Sequence, residues 1–349
     1  FESLMLSLWE SIPQRKLRNT MVKKLVIFGN GLGRAIDNNF YCLERVLDLS
    51  WGEEGPLTDD QRLLVAGCLD RGLIEADIRA PTEEAQLRDL QRVIDACDLT
   101  GSFQQQVDGN GGWLTEEGQN FPNAVRRYFH HAASEFHDAG IALPPRFAEN
   151  YREFIRRERP HIATLNYDDL LYDAYVGTDI AESHFLRDGF FGDFDMERHK
   201  GFMDAENEGW FLHLHGSPLF VTRRGVETKL LRAQLSSYRG YEQTHLVLTH
   251  AKSKPGAIRT SPVLQAYWKE LDEILKRPTE VIIFGCSGED EHLNHILRRS
   301  SDDIKIRVVT RNPEFEADEV AAWRIRLKGK DISADDFEFL DNLMDFDNW

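Results

Sequence analysis

Apolar residues gather along this chain in two rhythms. Short β-branched or aromatic runs, Lys24 to Phe28, His161 to Leu165, Trp210 to Leu214, Glu280 to Phe284 and Ile304 to Val309, predict buried strands. Between them lie stretches of helical period. Leu87, Leu90, Val93, Ile94 and Cys97 share one side of a helix predicted over Thr82 to Leu99, and Val125, Tyr128, Phe129, Ala132 and Phe136 one side of a second over Asn123 to Ala139. Pro144-Pro145 opens another that runs to about Arg157, and Pro262 to Leu275 and Glu291 to Arg299 complete the set. Strands alternating with helices predict an α/β chain: a Rossmann-like, doubly wound and mostly parallel sheet with a helical insertion at 51–156. The sheet is expected from 21–50 and 157–330. Residues 1–20 read as an N-terminal arm, a docking helix or partner-binding segment without the pattern of a secretory signal, and 331–349 as an acidic, amphipathic C-terminal helix. Phe185 to Phe194, rich in aromatics and glycine, fits either a flap over a pocket or a surface loop with buried anchors.

In such sheets ligands bind beyond the carboxyl ends of the strands, and four polar motifs fall there. Gly29-Asn30-Gly31-Leu32-Gly33 ends the first strand in a glycine turn one position short of the dinucleotide spacing; it suits close approach of backbone to a pyrophosphate, with Asn30 and Arg34 adding a hydrogen bond and a positive charge, and it equally suits a bare strand-to-helix turn. Asn166-Tyr167-Asp168 follows the second strand. An amide there can donate to and accept from ribose hydroxyls or a water, whereas Asp168 or Asp169 equally suits a helix cap. His213 and His215 stand two apart on a strand, so both rings could meet one metal, the pattern of a metal-dependent hydrolase. Alternatively His215 alone does acid/base work beside Gly216. Phe284-Gly285-Cys286-Ser287 closes a further strand; Gly285 and Ser287 suit a ribose or phosphate, and Ser287 or Asp290 suits a cap.

Charge and cysteine content narrow the field. A formal net charge of −17 argues against general nucleic-acid binding. The four cysteines, Cys42, Cys68, Cys97 and Cys286, form no C-x-x-C pair, which removes a zinc ribbon and suits the reduced cytoplasm. No apolar run approaches the ~20 residues of a membrane span.

The order strand-G-N-G, T-L-N-Y-D, L-H-G-S, F-G-C-S resembles the sirtuin-like domains of bacterial anti-phage defence proteins, over about 21–40 and 157–312. The resemblance implies a Rossmann-like sheet that binds NAD+ as substrate, with no other cofactor, and hydrolyses it to nicotinamide and ADP-ribose. Carried over by motif, Asn166 and His215 are the catalytic pair with Asp168 as a secondary candidate; Gly29 and Gly31 hold pyrophosphate, and Gly285 with Ser287 ribose. Deacylating members usually carry a four-cysteine zinc module that this chain lacks. Asn30 stands where many sirtuins have alanine, and Gly33 where serine is common. The resemblance also implies activation by homo-oligomerisation or by a companion such as a HerA-type ATPase. A non-catalytic sensor of NAD or ADP-ribose uses the same features, and only an assay separates the two.

Overall fold

A computed structural model describes residues 23–69, 78–106, 113–137, 140–176, 178–204, 206–238, 245–249 and 253–349; the arm expected at 1–20 lies outside them. Among the described residues there are eleven strands: β1 Lys23–Phe28, β2 His161–Thr164, β3 Leu186–Arg187, β4 Phe190–Phe191, β5 Asp193–Phe194, β6 Gly209–His213, β7 Phe220–Arg223, β8 Val226–Lys229, β9 Thr279–Phe284, β10 Lys305–Arg311 and β11 Phe337–Leu340. Seven form one sheet in the order β11-β10-β9-β1-β2-β6-β3, and every pairing in it is parallel. This is a Rossmann-like α/β fold. From β1 the chain winds outward through β2 and β6, then returns to the far side of β1 for β9, β10 and β11. The reversal opens a crevice at the carboxyl end of β1.

The period-2 alternation of β1 explains the layers. Val26 and Phe28 face one apolar cluster, Leu25 and Ile27 the other, and all four are fully buried. The first face is covered by α1 Gly31–Ile36, α2 Leu43–Trp51, α3 Asp59–Gly67, α4 Arg88–Gln106, α5 Glu116–Ser134 and α6 Pro145–Glu158. Tyr128, Phe129, Phe147 and Tyr151 from these helices lie in the same cluster as Phe28 and Phe284, so sheet and helices share one core. Three short helices follow, α7 Leu170–Asp173, α8 Asp179–Glu182 and α9 Met196–Phe202; the opposite face carries α10 Lys254–Arg259, α11 Pro262–Leu275, α12 Glu291–Arg299 and α13 Glu316–Arg326. Among the described residues no helix is long and apolar enough to cross a membrane.

Two expectations are corrected. The acidic segment at 331–349 is not an amphipathic helix: β11 pairs in parallel with β10, and beyond a 3₁₀ turn Trp349 inserts between Phe154 (ring centroids 5.1 Å), Phe346 (4.8 Å) and Phe284 (5.9 Å). Phe185 to Phe194 is no flap over the crevice. Leu186–Arg187 adds the edge strand of the main sheet, and β4 and β5 turn into a four-stranded antiparallel sheet with β8 and β7.

Candidate functional site

The turns after β1 and β9 are laced together at the crevice floor. Gly29 donates its N–H to Phe284 O at 2.9 Å and Gly31 donates to Gly285 O at 2.8 Å. The glycines permit this closeness: a Cβ on Gly31 would fall 2.6 Å from Gly285 O, and Gly285 itself has φ +62°. Leu32 donates to Gly29 O. The N–H groups of Gly29, Gly31 and Leu32 are thus committed within the fold, so the glycines serve turn-to-turn packing, which the pyrophosphate reading of this loop did not anticipate. Gly33 is a packing requirement too, since a Cβ there would lie 2.6 Å from the Tyr41 ring.

Above this floor lies a crevice of about 1130 Å³. Gly29, Asn30, Gly31, Arg34, Asn166, Asp168, His215, Gly285 and Ser287 all line it. Asn30 and Arg34 are exposed at its edge. Asn30 Nδ2 donates to Tyr41 O at 3.1 Å and Arg34 Nε to Asn38 Oδ1 at 2.7 Å, while exposed Ser287 accepts the Glu289 N–H at 3.4 Å.

Asn166 is fixed from two sides. Its backbone N–H donates to Thr164 Oγ1 at 3.0 Å, and its Nδ2 donates to Gly29 O at 3.1 Å. Oδ1 is buried without a hydrogen-bond partner among the described residues, a condition that costs about 1–3 kcal/mol per group. Asp168 accepts the Leu170 N–H at 3.1 Å, so it does make the local turn bond. Burial pushes its carboxyl up from 3.8 to about 6. It separates the crevice from a small internal cavity of about 10 Å³ lined by Tyr172, His213, Ser217 and Lys229.

The two histidines do not meet. β6 ends at His213, and Gly216, at φ +86°, turns the chain so closely past His245 that a Cβ would sit 1.7 Å from His245 O. The two-residue strand period therefore stops before His215. His213 packs against Phe211 (4.8 Å) and Phe220 (5.2 Å), and burial lowers its imidazole to about 3. His215 instead lines the crevice, with Nε2 2.8 Å from Asp290 Oδ2. Among the described residues no three His, Cys, Asp or Glu side chains group as metal ligands. The shared metal site that the His213/His215 spacing left open is not formed by this geometry.

Residues 160–327 match the sequence model of a family described as SIR2-like domain. The chain carries a SIR2-like domain. The match runs from the start of β2 through α13; β1 with its glycine turn, most of the helices on the first face, and β11 lie outside it. No curated protein matches the chain. A SIR2-like domain fits an NAD-related function, and such domains are often NAD-dependent enzymes.

The crevice also recruits residues that motif reading missed. Asp290 was legible only as a cap, and it does accept the Leu293 N–H at 2.9 Å. Its second oxygen holds both His215 and Lys254, the latter at 2.9 Å, and Lys254 reaches Glu84 at 3.1 Å. Tyr167 braces the wall through its hydroxyl, which donates to Val247 O at 2.5 Å. Lys254 carries no sequence signal, because nothing in its neighbourhood distinguishes a buried lysine from a solvated one. Glu84 belongs to a 3₁₀ turn far from any strand end.

Proposed function

We propose that this chain is an NAD+ glycohydrolase that cleaves NAD+ to nicotinamide and ADP-ribose. The observation that carries the reading is the convergence of Asn166, with its unpartnered buried Oδ1, and His215 on one crevice at the reversal point of a parallel sheet. The crevice exceeds the usual range of small-molecule pockets, about 300–1,000 Å³, and so has room for a dinucleotide.

Loss of nicotinamide from NAD+ passes through an oxocarbenium-like state in which the ribose is positively charged. The enzyme has to hold the ribose, orient its hydroxyls and place a water. Asn166 Oδ1 accepts from a ribose hydroxyl or the water while Nδ2 stays on Gly29 O. His215 takes the proton as general base, a contribution of about 10²–10⁴ in rate. Asp168 helps to orient this wall, and Ser287, Asn30 and Arg34 contact the ribose and phosphates from the rim. We assign the activity to a cytoplasmic, NAD-depleting effector of bacterial anti-phage defence, held inactive until it assembles as a homo-oligomer or meets a companion such as a HerA-type ATPase.

The test is the product profile of NAD+ incubated with wild-type protein, alone and with its companion, and with Asn166→Ala and His215→Ala. Nicotinamide and ADP-ribose should appear with wild type and fall at least 10²-fold with either variant. Undiminished release by both variants removes the mechanism.

A further inference from the structure

Three bonds converge on Asp290. Oδ1 accepts the Leu293 N–H and caps α12, while Oδ2 accepts from His215 Nε2 at 2.8 Å and from Lys254 Nζ at 2.9 Å. Lys254, only 5% exposed, also pairs with Glu84 Oε2 at 3.1 Å. A chain of alternating charge thus runs from the 3₁₀ turn Glu84–Leu87 to the imidazole. An ionised carboxylate only accepts hydrogen bonds, so the hydrogen between Asp290 and His215 sits on Nε2. A neutral imidazole carries one N–H. Nδ1 is therefore the bare nitrogen, and it has no protein partner among the described residues.

We propose that Asp290 is the positioning residue for His215: it fixes the Nε2–H tautomer and leaves Nδ1 as the atom that accepts a proton in the crevice. Lys254, backed by Glu84, keeps Asp290 in its accepting form. Burial opposes charge on Asp290, yet the hydrogen bond from His215 and the positive charge of Lys254 hold its carboxyl well below the usual carboxylate range. Burial likewise opposes charge on Lys254, and Glu84 and Asp290 outweigh it and raise the ammonium.

The proton accounting follows, resting here on the hydrolysis reading. The C1′–N bond breaks with its electron pair going to nicotinamide. Water oxygen bonds C1′, one water proton passes to Nδ1, and Asp290 stabilises the resulting imidazolium through Nε2–H. The imidazolium then releases that proton to solvent, so NAD+ and water give nicotinamide, ADP-ribose and one proton.

The experiment uses the full chain labelled with ¹⁵N-histidine. Long-range ¹H–¹⁵N correlation at mildly alkaline pH, where imidazoles are neutral, identifies the protonated nitrogen, and His215→Gln assigns the resonance. Wild type should show Nε2–H. Asp290→Asn keeps the α12 cap, because a carboxamide oxygen accepts the Leu293 N–H equally well, but turns an N–H donor toward Nε2 and moves the ring proton to Nδ1. Nicotinamide release should then lose about 10²–10⁴ in kcat with KM little changed. A wild-type spectrum showing Nδ1–H overturns the assignment whether or not the variant folds. So does a folded Asp290→Asn protein with the wild-type tautomer, the result expected if Asp290 only caps a helix. Nε2–H in a wild-type protein and companion that never release nicotinamide supports the role of Asp290 while removing the hydrolysis reading.

Discussion

Replacing Asp168 by asparagine should stabilise the protein at neutral pH and not at acid pH. The carboxyl is 7% exposed, and burial raises it from 3.8 to about 6. That displacement corresponds to about 3 kcal/mol. An unfolded chain ionises this group near 3.8, while the folded protein keeps the proton to about 6. Between those values the unfolded state binds fewer protons, so the contribution of Asp168 to stability falls as pH rises through the window and is flat above it. Asparagine removes the charge and keeps an oxygen for the Leu170 N–H. Equilibrium urea unfolding of both proteins at steps from about pH 4 to 8 should give curves that nearly coincide at the acid end. Above pH 6 they should separate by up to about 3 kcal/mol in favour of the variant. A stability difference that does not change with pH, or one that favours wild type at neutral pH, refutes the reasoning.

Two further substitutions probe the frame. Gly31→Ala places a methyl 2.6 Å from Gly285 O and 2.8 Å from Gly285 Cα, atoms held in place by the bond from Gly31 itself; it should cost about 1–3 kcal/mol in chemical denaturation, and an unchanged midpoint contradicts the packing role of the glycine turn. Trp349→Ala empties a site ringed by Phe154, Phe284 and Phe346 and should cost about 3–5 kcal/mol, whereas a loss below about 1 kcal/mol means that the tail is dispensable to the core.

The central strands were legible because burial on both faces leaves little but apolar residues in β1 and β9, and the helices Pro262–Leu275 and Glu291–Arg299 because each has a distinct start, Ser261 before Pro262 and Asp290 as cap. β11 was not legible. Phe337 and Phe339 do alternate and stack at 5.6 Å, but four half-buried residues at a sheet edge are too short a signal against the acidic residues around them. The antiparallel sheet of β4, β5, β7 and β8 escaped for a related reason: its strands have two to four residues each. At the site, Asn166 and His215 stood out because each directly follows an apolar run. The Glu84–Lys254–Asp290 chain stayed hidden, since its members come from three distant segments and only burial makes their pairing necessary. The His213/His215 reading failed because a strand period was extended two residues beyond the strand.

The lacing of the crevice floor also bears on how the protein is made. β1 leaves the ribosome well before β9, yet Cys286 Sγ closes on Ile27 O at 3.7 Å across 259 positions, and both Gly29 and Gly31 bond to the same late segment. Contacts so distant along the chain form slowly and only after β9 and its turn have emerged. A nascent chain still short of β9 lacks this floor, so any activity the crevice supports begins only once the late strand is in place.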